Sequence, residues 1–282
     1  MESIIIIGFG NMGEALIAGL TEQRRMQNKA ALTLGVIEKF PERRRIAVEE
    51  YHAVDCSDFS AQSDHPHAVN ADIVILAVKP QEIAAAAREH RALLANKPVI
   101  SLAAGISLKK LSALLPSSHI IRFMPSLAAR VGKAVTALVC SENCSAEFRE
   151  NAREIAWATG IVLEVPEELI PAVIGISGSA IAYVYEFIHA LVLGGIREGL
   201  KYDISLQAVL NVIEGAAATV REAEAEGLSP ADLVTRVCSP GGTTIEGIRT
   251  LHEHHFTAGI MQAVSAAAER ARNLEKTADS AD

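Results

Sequence analysis

The sequence predicts an α/β fold, with a mostly parallel sheet in the N-terminal half and an all-α region after it. Three observations carry this reading. Short runs rich in isoleucine and valine alternate with helical patterns as far as Val165. A glycine-rich turn follows directly on the first of these runs. Beyond Pro166 the strand-like runs stop and a 3.6-residue periodicity takes over. Strand and helix alternating at this spacing imply a parallel sheet covered on both faces.

The elements follow in order. Ser3–Ile7 is a continuous apolar run, too short for a helix and rich in isoleucine, as a strand buried on both faces should be. The glycine-rich turn comes next, then a helix with a small-residue face containing Ala15, Ala18 and Gly19. Residues 32–38 form the second strand, and Pro41 starts the following helix. Further strands are expected at residues 53–56, 72–78, 98–102, 119–123, 135–140 and 161–164. Helices are expected over residues 183–200, 205–226, 230–238, 242–252 and 256–276. The domain boundary is placed so that residues 1–165 form the sheet domain and 166–282 the helical one. The acidic tail, residues 278–282, is expected to fray.

Composition narrows the function. Half of the 282 residues are hydrophobic and the net charge is −8, so a globular core is affordable and no basic footprint for nucleic acid exists. Cys56, Cys140, Cys144 and Cys238 make no CxxC pair and are expected to be reduced thiols of a cytoplasmic protein. No basic leader precedes the first apolar run, and no uninterrupted apolar run approaches the ~20 residues of a membrane helix. The helix over 183–200 has little polar surface, so it is expected to be buried, most simply against a second copy of the chain. His252, His254 and His255, like His65 and His67, fit no helical zinc motif, and no metal site is expected.

Gly8, Gly10 and Gly13 form G-x-G-x-x-G between the first strand and the first helix, the context that makes this pattern informative. It marks a Rossmann domain: the first glycine turns, the second admits a pyrophosphate and the third lets helix and strand approach. Phe9, Asn11 and Met12 complete the turn, whose amides face the anion. Glu38 at the end of the second strand suits ribose hydroxyls and NAD(H), whereas Lys39, Arg43, Arg44 and Arg45 suit a 2′-phosphate. Adjacent helix positions cannot all face one way, so at least two of the arginines are expected on the solvent side. The balance favours NADP(H). Ala77, Val78, Lys79 and Pro80 follow the fourth strand, and Ala103, Ala104 and Gly105 follow the fifth, at the carboxyl ends where ligands of open sheets bind.

At the other end of the chain, Ser239-Pro240-Gly241-Gly242-Thr243-Thr244 breaks one helix and opens another. Thr243 and Thr244 can cap the new helix, whose free amides make a carboxylate site. The run from Pro230 through Leu251, with S-P-G-G-T-T-I-E-G at its centre, resembles the signature of pyrroline-5-carboxylate reductases. So do G-F-G-N-M-G-E-A-L at the N-terminus, A-V-K-P-Q from Ala77, S-L-A-A-G from Ser101 and R-F-M-P from Arg122.

The resemblance implies NAD(P)H-dependent reduction of a cyclic imine acid to proline. It also implies a helical dimerisation domain, dimers that in some members assemble into larger rings, and active sites built from two subunits. It assigns the substrate carboxylate to Ser239, Gly241, Gly242 and Thr243, and places Thr244, the candidate catalytic residue, near the ring nitrogen. It assigns the dinucleotide to Gly8, Phe9, Gly10, Asn11, Met12, Lys79 and Ala104, with Ser126 in place of the family's asparagine. Two more departures are Ile181 where the family has proline and His189 where it commonly has a carboxylate. A hydroxyacid dehydrogenase would need a lysine base in the helical region, where only Lys201 and Lys276 occur. A cofactor-binding sensor without turnover is the remaining alternative.

Overall fold

The computed structural model describes residues 1–59, 70–95 and 97–280. Among these, eight strands form one sheet: β1 Ser3–Ile7, β2 Thr33–Ile37, β3 Val54–Asp55, β4 Ile73–Leu76, β5 Val99–Ser101, β6 Ile120–Pro125, β7 Ala134–Cys140 and β8 Gly160–Glu164. Their order is β3-β2-β1-β4-β5-β6-β7-β8. Every expected strand is present, with ends no more than two residues from those expected. The sheet is parallel from β3 to β6, β7 runs antiparallel to β6, and β8 is parallel to β7. The reversal has a local cause. Only a short link with one 3-10 turn, Leu127–Val131, joins β6 to β7, too little chain for a crossover helix.

Alternation along each strand sends side chains to two cores. On one face Ile4, Ile6, Val36, Ile75 and Phe123 meet helices α1 (Asn11–Met26) and α2 (Pro41–Tyr51). On the other face Ile5, Ile7, Val74, Leu76 and Ile120 meet α3 (Ile83–Glu89), α4 (Arg91–Leu94) and α5 (Leu108–Leu114). The four isoleucines Ile4 to Ile7 are at most 2% exposed. Each fully buried side chain of this kind is worth about 1.5–3 kcal/mol, which fixes β1 at the centre of the sheet. Helix α6 (Ala146–Trp157) closes the first face, and α7 (Ile170–Val173) packs Ile170 and Val173 against β7.

The remaining helices are α8 Ala180–Arg197, α9 Tyr202–Ala225, α10 Pro230–Val237, α11 Thr243–Glu253 and α12 Phe256–Ser280. The chain divides into two compact units, residues 1–178 with 266–282, and residues 179–265. This differs from the 165/166 boundary read from the sequence, because residues 167–178 pack on the sheet and the end of α12 returns to it. Ala278 packs on the second core and Asp279 accepts a 2.8 Å hydrogen bond from Ser107, so the tail is ordered through Ser280 where fraying was expected.

In the second unit, the Ser205 hydroxyl of α9 donates to the Val192 carbonyl of α8, and Tyr183 donates to the Ala263 carbonyl of α12. The single chain leaves helix α8 largely exposed. Val192 is its one buried residue, while Val184, Tyr185, Leu191, Leu193 and Ile196 stand exposed. The helical stretch Glu167–Arg197 is long and apolar enough to cross a membrane by length and composition alone.

Candidate functional site

The strand order turns at β1 and β4, where a cleft of about 460 Å³ opens beyond their carboxyl ends. Gly8 leaves β1 with φ +88°, and a Cβ there would lie 3.0 Å from the Ala77 carbonyl after β4, so the turn requires glycine. A Cβ on Gly13 would meet Ile6, while one on Gly10 would meet nothing within 4 Å. Gly10 is also the extended N-cap of α1, so open space lies in front of the helix's unbonded first-turn amides. This cradle fits a pyrophosphate.

Glu38 sits just past β2 and is 6% exposed. One carboxylate oxygen accepts the Phe9 amide at 2.6 Å and the other the Phe40 amide at 2.8 Å, so Glu38 ties the glycine turn to the entry of α2. Lys39 pairs with Glu82, and Arg43 bonds Glu14 at 2.9 Å and Asn11 at 2.7 Å. Lys39 and Arg43 both line the cleft. Arg44 turns to Asp55 and Arg45 to Glu49, which leaves Arg43 as the arginine of the three that faces the cleft.

Of the residues expected to bind the cofactor, Gly8, Gly10, Glu38, Lys39, Ala77, Val78 and Lys79 line this cleft. Asn11, Met12, Gly13 and Pro80 flank it in sequence without lining it. Phe9 points into the core, 0% exposed and edge-on to Tyr51, with its amide held by Glu38. Ala103, Ala104 and Gly105 form a separate loop after β5, in which Gly105 takes φ +71°. Ser126 is buried and its hydroxyl accepts the Val135 amide, bracing β7.

The cleft contains residues that the sequence reading passed over: Ser57, Ala85, Ala86, Glu89 and His90. Glu82, Ala85, Ala86, Glu89 and His90 share one helical face, a spacing visible in the sequence. His90 is 7% exposed, its Nδ1 has no partner among the described residues, and burial pulls its imidazole below the usual histidine range against the pull of Glu89.

The second unit supplies the other candidate set. Ser229 caps α10 in a reciprocal box with Asp232. After α10, Ser239-Pro240-Gly241-Gly242 forms a turn in which the Gly242 amide donates to the Ser239 carbonyl at 3.0 Å and Gly241 takes φ +68°. Proline followed by a left-handed glycine is the type II turn pattern. A Cβ on Gly242 would lie 2.3 Å from the Ser239 hydroxyl, so Ser239 folds back over the turn. Gly242, not a threonine, caps α11; Thr243 and Thr244 are its first two helical residues, exposed, with hydroxyls unpartnered among the described residues. Amides of the first turn remain free for an anion. No metal-holding group of three His, Cys, Asp or Glu occurs among the described residues; His65 and His67 lie outside them.

Known proteins match along this whole arrangement. The family described as "Pyrroline-5-carboxylate reductase dimerisation" matches residues 167–274, and the one described as "NADP oxidoreductase coenzyme F420-dependent" matches residues 3–105. A pyrroline-5-carboxylate reductase of Aquifex aeolicus is 32% identical over 273 residues, covering 95% of this chain and 96% of the relative. One of Synechocystis is 36% identical over 278 residues, covering 96% and 97%. The solved pyrroline-5-carboxylate reductase of Coxiella burnetii superposes with a TM-score of 0.84 at 28% identity, covering 96% of this chain and 97% of that one. That of Plasmodium falciparum, solved with NADP bound, gives 0.79 at 26% identity, covering 97% and 98%. The chain belongs to the pyrroline-5-carboxylate reductase family of oxidoreductases.

Proposed function

We propose that this chain carries out its family's reaction, the NAD(P)H-dependent reduction of 1-pyrroline-5-carboxylate to L-proline, with Thr244 at the reacting nitrogen. The single observation that carries the assignment of residues is the S-P-G-G-T-T turn: a glycine-shaped loop leading into free helix amides and two threonine hydroxyls unpartnered among the described residues. A helix of 11 residues with such an opening favours a carboxylate.

When bound, the reduced nicotinamide supplies a hydride to the imine carbon. The chain's residues do the rest by positioning, an effect worth up to about 7–11 kcal/mol. The amides of Thr243 and Thr244, with Ser239, Gly241 and Gly242, hold the carboxylate and so fix one end of a small rigid ring. The Thr244 hydroxyl orients the ring nitrogen and passes it a proton from water, since a hydroxyl is a poor acid at neutral pH. The cleft at Gly8, Gly10, Val78 and Lys79 takes the dinucleotide, with Ala103, Ala104 and Gly105 on the nicotinamide side. The reaction calls for no metal.

NADP(H) is favoured over NAD(H). Glu38 already holds two backbone amides, while Lys39 and Arg43 stand in the cleft paired with Glu82, and with Glu14 and Asn11, partners that a 2′-phosphate can replace. Arg43→Ala should raise the KM for NADPH about tenfold and leave that for NADH within about twofold. Equal effects on both cofactors would overturn the preference. The exposed apolar residues of α8 lie within the match to the family's dimerisation region, and the chain self-associates through that region. The fitting assembly is a homodimer in the cytoplasm, with dimers able to build a larger ring.

A further inference from the structure

Arg122 is the one charged residue of β6, in the run Ile-Ile-Arg-Phe-Met-Pro, and it is 1% exposed. Its Nη1 donates to Glu167 at 2.7 Å and to Glu275 at 2.5 Å. Its Nε has no partner among the described residues. A buried ion pair is a weak source of stability, and an orphaned buried N–H is a cost. The pair is therefore better explained by the segments that it joins than by the stability that it adds.

What it joins is specific. The family's dimerisation match runs from residue 167 to 274. Glu167 is its first residue and Glu275 follows its last, so one guanidinium holds the chain where it leaves the sheet and where it returns. One of these partners, and a neighbour of the other on α12, grip the segment after β5. Glu167 also accepts the Leu108 amide at 2.7 Å, and Asp279, one helical turn beyond Glu275, accepts the Ser107 hydroxyl at 2.8 Å. Ser101 is the direct cross-strand neighbour of Arg122, and its hydroxyl accepts the Ala103 amide. Gly105 faces Leu274 of α12 across 3.9 Å, measured from where its Cβ would stand. Residues 102–106 are therefore held at both ends by groups bonded to, or beside, Arg122.

We propose that Arg122 is a positioning residue for hydride transfer: through Glu167 and Glu275 it fixes the loop of Ala103, Ala104 and Gly105 on the nicotinamide side of the cofactor site. This rests on the reaction and on the loop's role proposed above. The chain's own residues set the loop before any cofactor arrives, so the effect is measurable in the free protein.

The test uses the full chain with Glu275→Ala and the conservative Glu275→Gln, which keeps an acceptor for Arg122. Hydrogen–deuterium exchange of the free protein reads the loop, and steady-state kinetics read the reaction. In Glu275→Ala the amides of residues 102–108 should exchange about tenfold faster while β1 and β4 are unchanged. With the imine, kcat should fall about tenfold and the KM for NADPH should stay within about twofold. Glu275→Gln should restore most of both. Unchanged exchange at 102–108, an increase spread evenly over the sheet, or faster exchange with unchanged kcat would each overturn the proposal. An inactive wild-type protein would overturn the reaction and this role in it, whereas an active wild type with unaffected variants overturns the joint alone.

Discussion

Thr244 stands in the first turn of α11, exposed and with its hydroxyl free among the described residues, while the amides beside it are fixed by the helix. Removing that hydroxyl should spare the fold and the cofactor cleft. Thr244→Ala is expected to lower kcat roughly tenfold or more at constant NADPH affinity, measured by single turnover and by cofactor titration. Unchanged turnover would remove Thr244 from the mechanism. His90 gives a pH-dependent outcome. Burial holds its imidazole below the ordinary value, so in acid the unfolded chain binds the proton more readily than the folded one. Its effect is absent well above the unfolded pKa of about 6.5 and destabilises increasingly as pH falls below it. His90→Gln should therefore lose less thermal stability than the wild type between about pH 7 and pH 5. The spacing that puts His90 on the cleft face was visible in the sequence and passed over, whereas the roles of Arg122 and Ser57 were not legible, because nothing local announces which side chain a distant segment will meet.

At the scale of elements, the glycine turn shows why some of the site was legible. Gly8 has both a positive φ and a backbone neighbour 3.0 Å from its would-be Cβ. Gly8→Ala should cost at least about 1 kcal/mol from the backbone alone and also weaken cofactor binding, readable by denaturant melts and NADPH titration. Such a requirement is written into the local sequence, as is the alternation that placed all eight strands. The S-P-G-G turn was legible for the same reason: proline and a left-handed glycine at Gly241 specify it. What was not legible came from backbone detail at a helix start and from distant partners. The capping role expected of Thr243 and Thr244 went to Gly242, and the tail expected to fray is held at Asp279 by Ser107. Phe9, expected at the cofactor, belongs to the core beside Tyr51. The antiparallel β7 follows from a link length that only the placed strands reveal.

At the scale of the whole molecule, α8 presents Leu191, Leu193 and Ile196 to the outside of a single chain. In the dimer proposed above, this apolar face, on a helix within the dimerisation match, is the covered one. Leu193→Glu should shift the sedimenting species to the monomer and reduce turnover with it; a variant that sediments as the wild type does would place the interface elsewhere. The most direct test of the whole account follows one atom. The protein is supplied with 1-pyrroline-5-carboxylate and NADPH carrying deuterium at the nicotinamide C4 position on the transferred face, and the proline formed is analysed by mass spectrometry and NMR. One deuterium on the former imine carbon is expected, with no proline formed when either reactant is omitted. A protein that binds NADPH yet yields no labelled proline contradicts the account.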